Sequence, residues 1–378
     1  MHKHLILPFT LLTLAACQQS PKSAGSADST VAPANTAALT PTWAKRFTGT
    51  IAGQPVTLLL QRAGSGPADV RGWYVYDHHG EPISLRPFYG ENRTDDSIIV
   101  NEGYTEDDGV IRGLVSADGH FKGKWINARN NFDFDLSENN DSAIIFSVVA
   151  FTDSVKLLPD HPKSPAATAS AYTAWPTGGA AAPVITFLQQ SIAPGLKSGE
   201  TPATLLKNGA DSFFASYKSG AAGVDSASMN DGPSWQWSAE SGSVVAWNKW
   251  PILAIENWTY DFTGGAHGNG GSLFTVCDLS QSKKLTPADV FKPGYKPVVT
   301  AALEKSYRKK YKVPAGQSLT DAGLQVKKIE PGDNFFITSH GAVFSYTPYE
   351  IAAYAAGQIT LFVPWADIQT VVREAYLR

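Results

Sequence analysis

The stretch YDFTGGAHGNGGSLFTVCDL, residues 260–279, places a loop with five glycines and one histidine between two runs of strand-forming residues. A dinucleotide-binding loop needs the spacing Gly-x-Gly-x-x-Gly and a following helix, whereas the sixth position counted from Gly268 is Leu273 and a strand-like run follows. The chain also contains no Gly-Lys-Ser/Thr phosphate loop and no Gly-x-Ser-x-Gly nucleophile elbow. Glycine adopts positive φ easily, so we predict a β-hairpin with His267 near its tip.

The N-terminus has the pattern of a secretory signal peptide. A short basic head precedes the apolar run of residues 5–14, which is too short to span a bilayer. The sequence LAAC at residues 14–17 resembles the lipobox of bacterial lipoproteins, which implies cleavage before Cys17 and lipidation of its thiol. An ordinary signal peptide with an incidental cysteine is the alternative. Gln18 resembles the outer-membrane sorting pattern of Gram-negative lipoproteins. We therefore expect a signal peptide at residues 1–16 and an envelope protein anchored to a membrane by its lipid, in the outer membrane if the organism is Gram-negative.

Composition narrows the class of protein further. The chain has 378 residues and a formal net charge of −3, so it lacks the basic excess of a nucleic-acid binder, and we expect no nucleic-acid partner. Residues 17–42 follow the predicted cleavage site and contain mainly Ser, Ala, Pro and Thr, which predicts a disordered tether. The 33 glycines and 24 prolines favour β-rich structure with many turns over a helical bundle. Cys277 lies in an apolar alternation, so we interpret it as a buried residue.

Residues 43–138 contain eight short runs with strand character. Turn sequences such as DDG and ADG separate these runs. Strands that follow one another through tight turns pair in sequence order, so we predict an all-β antiparallel meander, closed or nearly closed into a small barrel. A barrel with a wide apolar mouth would suit a carrier of a lipid or another apolar ligand.

Residues 143–378 combine strands with helices. Apolar spacing predicts helices at residues 184–193 and 201–218, and a proline at the start with Lys and Arg at the end predicts another at residues 297–312. Strand-like runs surround the glycine loop and recur near the C-terminus. We therefore predict an α+β domain, an antiparallel sheet with packed helices. The Pro- and Ala-rich residues 159–183 are assigned no strand.

Histidines and carboxylates form no recognisable catalytic or metal-binding pattern. His78 and His79 are adjacent in or beside a strand, so their side chains would point to opposite faces, and the chain has no His-Glu-x-x-His motif. We therefore expect no metal, no cofactor and no catalytic residue. A glycan hydrolase could still take two carboxylates from distant segments, and carboxylates clustered in one cleft would favour it. We interpret the five tryptophans within residues 235–258 as packing residues, although exposed tryptophans would suit sugar stacking.

Two separated motifs carry a resemblance to a known family. The loop GGAHG at residues 264–268 and the segment PYEIAAYAAG at residues 348–357, with the segment 287–291 between them, resemble the extracytoplasmic domain of RsiV-type lysozyme-sensing anti-sigma factors. That domain of unknown function also accompanies some peptidoglycan deacetylases. The resemblance covers residues 143–378 and implies an α+β envelope domain that binds lysozyme rather than catalysing a reaction. The chain shows no sigma-binding segment, transmembrane helix or deacetylase domain, so we do not expect signalling by proteolysis within a membrane.

The resemblance also points to candidate binding residues. In the glycine loop they are Gly264, Gly265, His267, Gly268 and Asn269. In the C-terminal motif they are Tyr349, Glu350 and Tyr354. We expect a lipid-anchored, non-enzymatic envelope binding protein whose partner is a lysozyme-like muramidase or a peptidoglycan-related ligand. The alternatives are an envelope glycan hydrolase and an apolar-ligand carrier that uses the β-meander.

Overall fold

The computed structural model describes residues 41–66, 69–88, 96–103, 105, 107–161, 163–197, 199–222 and 233–377. The predicted signal peptide, the lipidation site Cys17 and nearly all of the tether lie outside these residues. Within them, no helix combines the length and apolar character needed to cross a membrane.

The N-terminal strands form a closed barrel of eight antiparallel strands. In chain order they are β1 Trp43–Ile51, β2 Gln54–Arg62, β3 Val70–Tyr76, β4 Pro82–Pro87, β5 Ile98–Asn101, β6 Val110–Val115, β7 His120–Ile126 and β8 Asn131–Glu138. Each strand pairs with the next, and β1 pairs with both β2 and β8, which closes the barrel. The predicted meander is confirmed, and its closure is complete.

Large side chains fill the barrel interior. The Phe121 ring lies 5.6 Å from the Phe47 ring and 5.0 Å from the Phe134 ring. Leu58 and Tyr74 are buried in the same cluster. Because alternate residues of every strand point inward and occupy this space, the interior gives the apolar-ligand carrier no support.

A six-stranded sheet follows the barrel, with strand order β14-β13-β12-β11-β10-β9. Its strands are β9 Ile145–Lys156, β10 Ala166–Gly178, β11 Trp237–Lys249, β12 Ile252–Phe262, β13 Asn269–Asp278 and β14 Lys283–Lys284. Neighbouring strands are antiparallel except β10 and β11, which are parallel. A three-stranded antiparallel sheet is formed by β15 Phe335–Ile337, β16 Gly341–Tyr346 and β17 Ile359–Pro364.

Five helices accompany the two sheets in the described residues. They are α1 Ala182–Ile192, α2 Pro202–Gly220, α3 Pro287–Val290, α4 Lys296–Lys310 and α5 Trp365–Ile368. The first, second and fourth confirm the three helices predicted from apolar spacing and terminal residues. Proline lies in the first turn of each of these three, where its missing N–H leaves no helical hydrogen bond unmade. Together, helices and sheets confirm the α+β class.

The structure corrects the sequence analysis at residues 159–183, because this stretch contains the 13-residue strand β10. Five of its residues are alanine, which is depleted in strands, so local propensity concealed the element. Pairing on both sides decides its conformation: β9 binds one edge and β11 the other.

The outer face of the barrel is part of the core of the α+β region. The Trp73 ring, on β3, lies edge-on at 5.9 Å from the Phe274 ring and 5.8 Å from the Phe336 ring. Val75 belongs to the same buried cluster. The barrel and both sheets therefore form one compact unit. Trp73 and Val75 of the barrel pack with Val244 and Ala254 of the six-stranded sheet, and the site described next includes residues of the barrel and of β12.

Candidate functional site

The glycine loop joins β12 to β13 as an antiparallel hairpin, with Asp261 opposite Asn269. This confirms the hairpin predicted from the sequence. Gly264 has φ +93° and Gly265 has φ +94°, a region that side-chain-bearing residues rarely adopt. These two residues therefore make the turn, and His267 follows it on the return path.

His267 and Tyr354 form a stacked pair that joins the loop to the C-terminal motif. Their ring centroids are 4.1 Å apart and their planes differ by 20°. The Tyr354 hydroxyl donates a hydrogen bond of 2.6 Å to the Gly268 carbonyl, and His267 Nδ1 lies 2.8 Å from the same oxygen. A carbonyl only accepts, so this His267 nitrogen carries a proton. Two motifs that are 86 residues apart at Gly268 and Tyr354 therefore meet at one point.

Tyr349 extends this pair toward solvent. Its ring lies 5.6 Å from the Tyr354 ring, and 57% of the residue is exposed. Its φ of +71° is a strained value for an aromatic residue. Strain of this kind persists only where the surrounding structure fixes it, and it concentrates at functional positions. We name His267, Tyr349 and Tyr354 the aromatic cluster.

The other candidate residues lie beside the aromatic cluster but do not enter it. Glu350 accepts a 2.9 Å hydrogen bond from the Thr347 N–H, so its carboxylate closes its own turn. Asn269 is exposed at the start of β13. Gly268 is buried, and a side chain there would collide with the Tyr260 hydroxyl. Gly264, Gly265 and Gly268 therefore shape the cluster rather than present binding groups.

A cleft of about 500 Å³ opens next to the aromatic cluster. Arg71 and Arg86 line it from the barrel, Glu256 and Trp258 from β12, and Tyr354 and Gln358 from the C-terminal segment. This volume lies within the range of small-molecule sites. None of the barrel residues was a candidate in the sequence analysis.

Glu256 is fixed at the inner end of the cleft. Its two carboxylate oxygens accept hydrogen bonds from Trp73 Nε1 at 2.8 Å and from Ser272 Oγ at 2.6 Å. The cleft contains a second carboxylate, Glu240, on β11. Glu256 lies opposite Val244 in the pairing of β11 with β12, and Glu240 is four residues from Val244 along β11. That register separates the two glutamate Cα atoms by about 14 Å. With Glu256 held by its donors, this pair gives the glycan hydrolase no support.

Arg71 stacks on the indole of Trp258, with its guanidinium carbon 4.0 Å from the ring centroid. Trp258 Nε1 donates a 2.9 Å hydrogen bond to the Tyr172 hydroxyl oxygen, which anchors the indole edge. Burial raises the pKa of the Tyr172 hydroxyl well above its usual range, although the Arg71 charge opposes the shift. Tyr172 therefore stays neutral, and the Arg71 guanidinium lies over an indole ring that Tyr172 holds in place.

Side-chain amides replace a neighbouring strand along the free edge of β13. Gln358 Oε1 accepts from the Ser272 N–H at 3.1 Å, and Gln358 Nε2 donates to the Ser272 carbonyl at 3.0 Å. Asn334 Oδ1 accepts from the Phe274 N–H at 2.9 Å. In an antiparallel strand alternate residues point to the same side, so the Gly270 N–H and C=O face this edge as well. No described residue hydrogen-bonds to that pair, and Gly270 lines the cleft.

Arg71 and Arg86 are the functional candidates that sequence reasoning missed. They lie in a separate predicted domain, more than a hundred residues before the glycine loop. One signal was available, because strand alternation places Arg71 on the same face as Trp73 and Val75. A tryptophan and a valine on the outside of a small barrel indicate that another part of the chain covers that face.

The cysteine and histidine candidates have simple environments. Cys277 is 2% exposed, which confirms its predicted burial, and burial raises the pKa of its thiol to about 11. His78 and His79 are exposed in the turn after β3. Across the part of the chain that the structure describes, no group of three His, Cys, Asp or Glu residues could hold a metal ion.

Comparison with known families identifies the C-terminal part of the chain. Residues 288–366 match the model of a family described as "Protein of unknown function (DUF3298)". The chain carries a DUF3298 domain. The Tyr349–Tyr354 motif lies within the matched residues of the DUF3298 domain, whereas the glycine loop precedes them. No curated protein matches the chain significantly.

Comparison with solved structures finds two DUF3298 proteins. A crystal structure of a DUF3298 member from Bacteroides fragilis NCTC 9343 has 22% sequence identity and a TM-score of 0.55, and the match covers 62% of this chain and 96% of that chain. A DUF3298 protein from Pseudomonas aeruginosa PAO1 has 16% identity and a TM-score of 0.44, over 63% of this chain and 98% of that chain. The Bacteroides fragilis likeness supports the fold and carries no information on ligands.

Proposed function

We propose that this protein is a lipid-anchored, non-enzymatic binding protein of the bacterial cell envelope that docks a lysozyme-like muramidase through the aromatic cluster. One observation carries the proposal. The loop and the motif that resemble the RsiV-type domain meet through the stacked His267 and Tyr354 rings, with Tyr349 exposed beside them.

The aromatic cluster has the properties of a protein-binding anchor. Tyrosine is enriched at interfaces and among the residues that contribute most to affinity, because a rigid ring supplies contact area at low entropic cost. Tyr354 is held by the Gly268 carbonyl and by His267, so little mobility remains to be lost on docking. Tyr349, 57% exposed, supplies a free aromatic surface beside this pair.

The proposed anchor belongs to the N-terminal segment. Lipid on Cys17 and a flexible tether up to residue 42 would hold the folded unit away from the membrane surface. In a Gram-negative organism Gln18 favours the outer membrane. A muramidase that enters the envelope would meet the aromatic cluster there.

The second expected partner, a peptidoglycan-related ligand, would need a cleft rather than an exposed surface. The cleft lined by Arg71 and Arg86 has a suitable size. The hydrolase has no support from Glu256, which Trp73 and Ser272 hold in place, and the carrier has none from the barrel interior, which side chains of the described strands fill. Neither is proposed.

Calorimetry tests the proposal directly. The full-length chain with Cys17→Ser is titrated with c-type, g-type and i-type lysozymes, and we expect a Kd of about 1 μM or tighter for at least one. Tyr349→Asn removes the ring while asparagine tolerates the positive φ, and His267→Ala removes the stack. We expect each variant to weaken binding at least about tenfold.

The matched control is Tyr311→Asn, the same change at an exposed tyrosine outside the aromatic cluster. It should bind as the parent chain does. Circular dichroism verifies that each variant is folded. The proposal would be contradicted if no heat of binding were measured with any of the three lysozymes, or if Tyr349→Asn left the Kd unchanged.

A further inference from the structure

Arg71 and Arg86 lie on neighbouring strands of the barrel and both line the cleft. Continuing the register beyond the pair Gly72–Leu85 places Arg71 directly opposite Arg86 on β3 and β4. Both residues are half-buried, and neither forms an ion pair with any carboxylate of the described residues. Like charges at directly opposite strand positions repel. An anion bound between them would offset that repulsion.

The remaining groups of the cleft suit a sugar ring. The Gly270 N–H and C=O offer one donor and one acceptor at the free edge of β13. Glu240, exposed at the outer end of the cleft, offers a carboxylate that accepts from hydroxyl groups. Trp258 and Tyr354 offer aromatic surface on the floor and the far wall. Donors, acceptors and rings at one cleft are the groups that a hydroxyl-rich, carboxylate-bearing ring would use.

An acidic peptide fits these observations less well. A peptide strand added to β13 would need a run of free backbone groups along the edge. The Ser272 N–H and C=O are already bonded to Gln358, and the Phe274 N–H is bonded to Asn334, so the Gly270 pair has no neighbouring free pair along this edge in the described residues. One free pair suffices for a sugar and is too few for a strand.

We propose that this cleft binds a pyranose that carries a carboxylate, with Arg71 and Arg86 holding the carboxylate and the Gly270 backbone and Glu240 meeting the hydroxyl groups. The planar guanidinium matches a carboxylate with two parallel hydrogen bonds, and the contact with Trp258 limits the movement of Arg71. The cleft shares Tyr354 with the aromatic cluster but contains neither Tyr349 nor His267, so the inference does not depend on the muramidase proposal.

The test titrates the full-length Cys17→Ser chain with N-acetylmuramic acid, glucuronic acid and the neutral N-acetylglucosamine. We expect both acids, or one of them, to bind at least about tenfold more tightly than the neutral sugar. Preference for N-acetylmuramic acid would identify cell-wall glycan as the source of the ligand. Preference for glucuronic acid would identify a uronate polysaccharide as that source. Both outcomes support the carboxylate site.

Variants separate the site from a general charge effect. Arg71→Met and Arg86→Met should each weaken binding of the acid at least about tenfold. Arg71→Lys should weaken binding less than Arg71→Met, because lysine keeps the positive charge but loses the paired N–H donors of the guanidinium. Arg129→Met removes an exposed arginine elsewhere on the barrel and should leave binding unchanged. Thermal unfolding verifies that each variant is folded.

Three results would overturn the inference. They are a Kd weaker than about 10 mM for both acids, equal affinity for acid and neutral sugar, and unchanged affinity in the Arg71→Met, Arg86→Met double variant. The muramidase proposal fails separately, because it depends on Tyr349 and His267, which do not line the cleft.

Discussion

Asp289 shows how one side chain organises the start of the DUF3298 domain. It is the third residue of α3, and its carboxylate accepts from the Thr286 N–H at 2.9 Å and from the Thr286 hydroxyl at 2.8 Å. Its other oxygen pairs with Lys283. The Lys283 contact and the Thr286 hydrogen bonds lower the pKa of Asp289 to about 2. The ionised carboxylate therefore caps the helix at neutral pH.

Replacing this carboxylate should reduce stability in a pH-dependent way. The folded pKa lies below the unfolded value of about 3.9, so the stabilisation is complete above about pH 4 and is lost as the pH falls toward 2. Because the group is partly exposed, we expect Asp289→Asn to cost only about 1 kcal/mol at pH 7. The difference from the parent chain should shrink on acidification. Urea unfolding at pH 7 and pH 3 measures both effects.

Asp160→Asn, at an exposed turn aspartate, serves as the control and should leave the urea midpoint unchanged at both pH values. An Asp289→Asn variant with the parent midpoint at pH 7 would contradict the capping role.

The sequence predicted the surroundings of some residues and not of others. Burial of Cys277 was predictable, since it follows from strand alternation alone. His267 and Tyr354 were separate candidates, and their stacking depends on a close approach of the β12–β13 hairpin and the segment after β16. Nothing in the local sequence of either motif specifies that distance.

At the scale of elements, the β12–β13 hairpin depends on two glycines with different surroundings. A Cβ on Gly264 would lie 2.8 Å from the Ser234 carbonyl oxygen, whereas a Cβ on Gly265 would meet nothing within 4 Å. Both residues have positive φ. Backbone strain therefore applies to both positions, and a steric clash to Gly264 alone.

We expect Gly265→Ala to destabilise the fold by about 1 kcal/mol and Gly264→Ala by about 2 kcal/mol or more. The free energy of unfolding in urea measures the difference, with each variant the control for the other. Gly264→Ala should also weaken muramidase binding, because a displaced loop moves His267. Equal destabilisation by the two substitutions would show that the Ser234 backbone moves away from the new Cβ without a cost in stability.

Elements with strong local patterns were predictable, and β10 was not. The eight barrel strands have strand-like sequences separated by turn residues. Two of the long helices have apolar spacing, and the third begins with proline and ends with Lys and Arg. The alanine-rich β10 becomes a strand because β9 and β11 supply hydrogen-bond partners along its length. Local propensity does not contain that information.

At the scale of the whole molecule, Gln61 joins the barrel to the six-stranded sheet. Its side chain is 3% exposed, its Nε2 donates a 2.9 Å hydrogen bond to the Ser243 carbonyl, and its Oε1 accepts from the Val245 N–H. The amide of a barrel strand thus bonds to the backbone of β11. This contact and the Trp73 packing fix the barrel wall of the cleft.

Gln61→Leu should leave the Ser243 and Val245 backbone groups buried without partners, which costs about 2 kcal/mol or more. We expect a lower Tm in calorimetry and weaker binding of the carboxylated sugar, since Arg71 and Arg86 lose their fixed position. Gln54→Leu, at an exposed position of β2, is the control and should change neither quantity. A Gln61→Leu variant with unchanged Tm would show that the apolar contacts alone hold the two parts together.

The sequence by itself determined the β-meander, the α+β class and the hairpin at the glycine loop, because periodicity, turn residues and glycine conformation are local properties. Its motifs also pointed to the family that the DUF3298 domain represents. The tertiary structure alone decided that the barrel closes, that it packs on the sheet through Trp73 and Gln61, and that Arg71, Arg86 and Trp258 line one cleft. Those features arise from contacts between residues far apart in the chain, and local physical chemistry cannot set such distances.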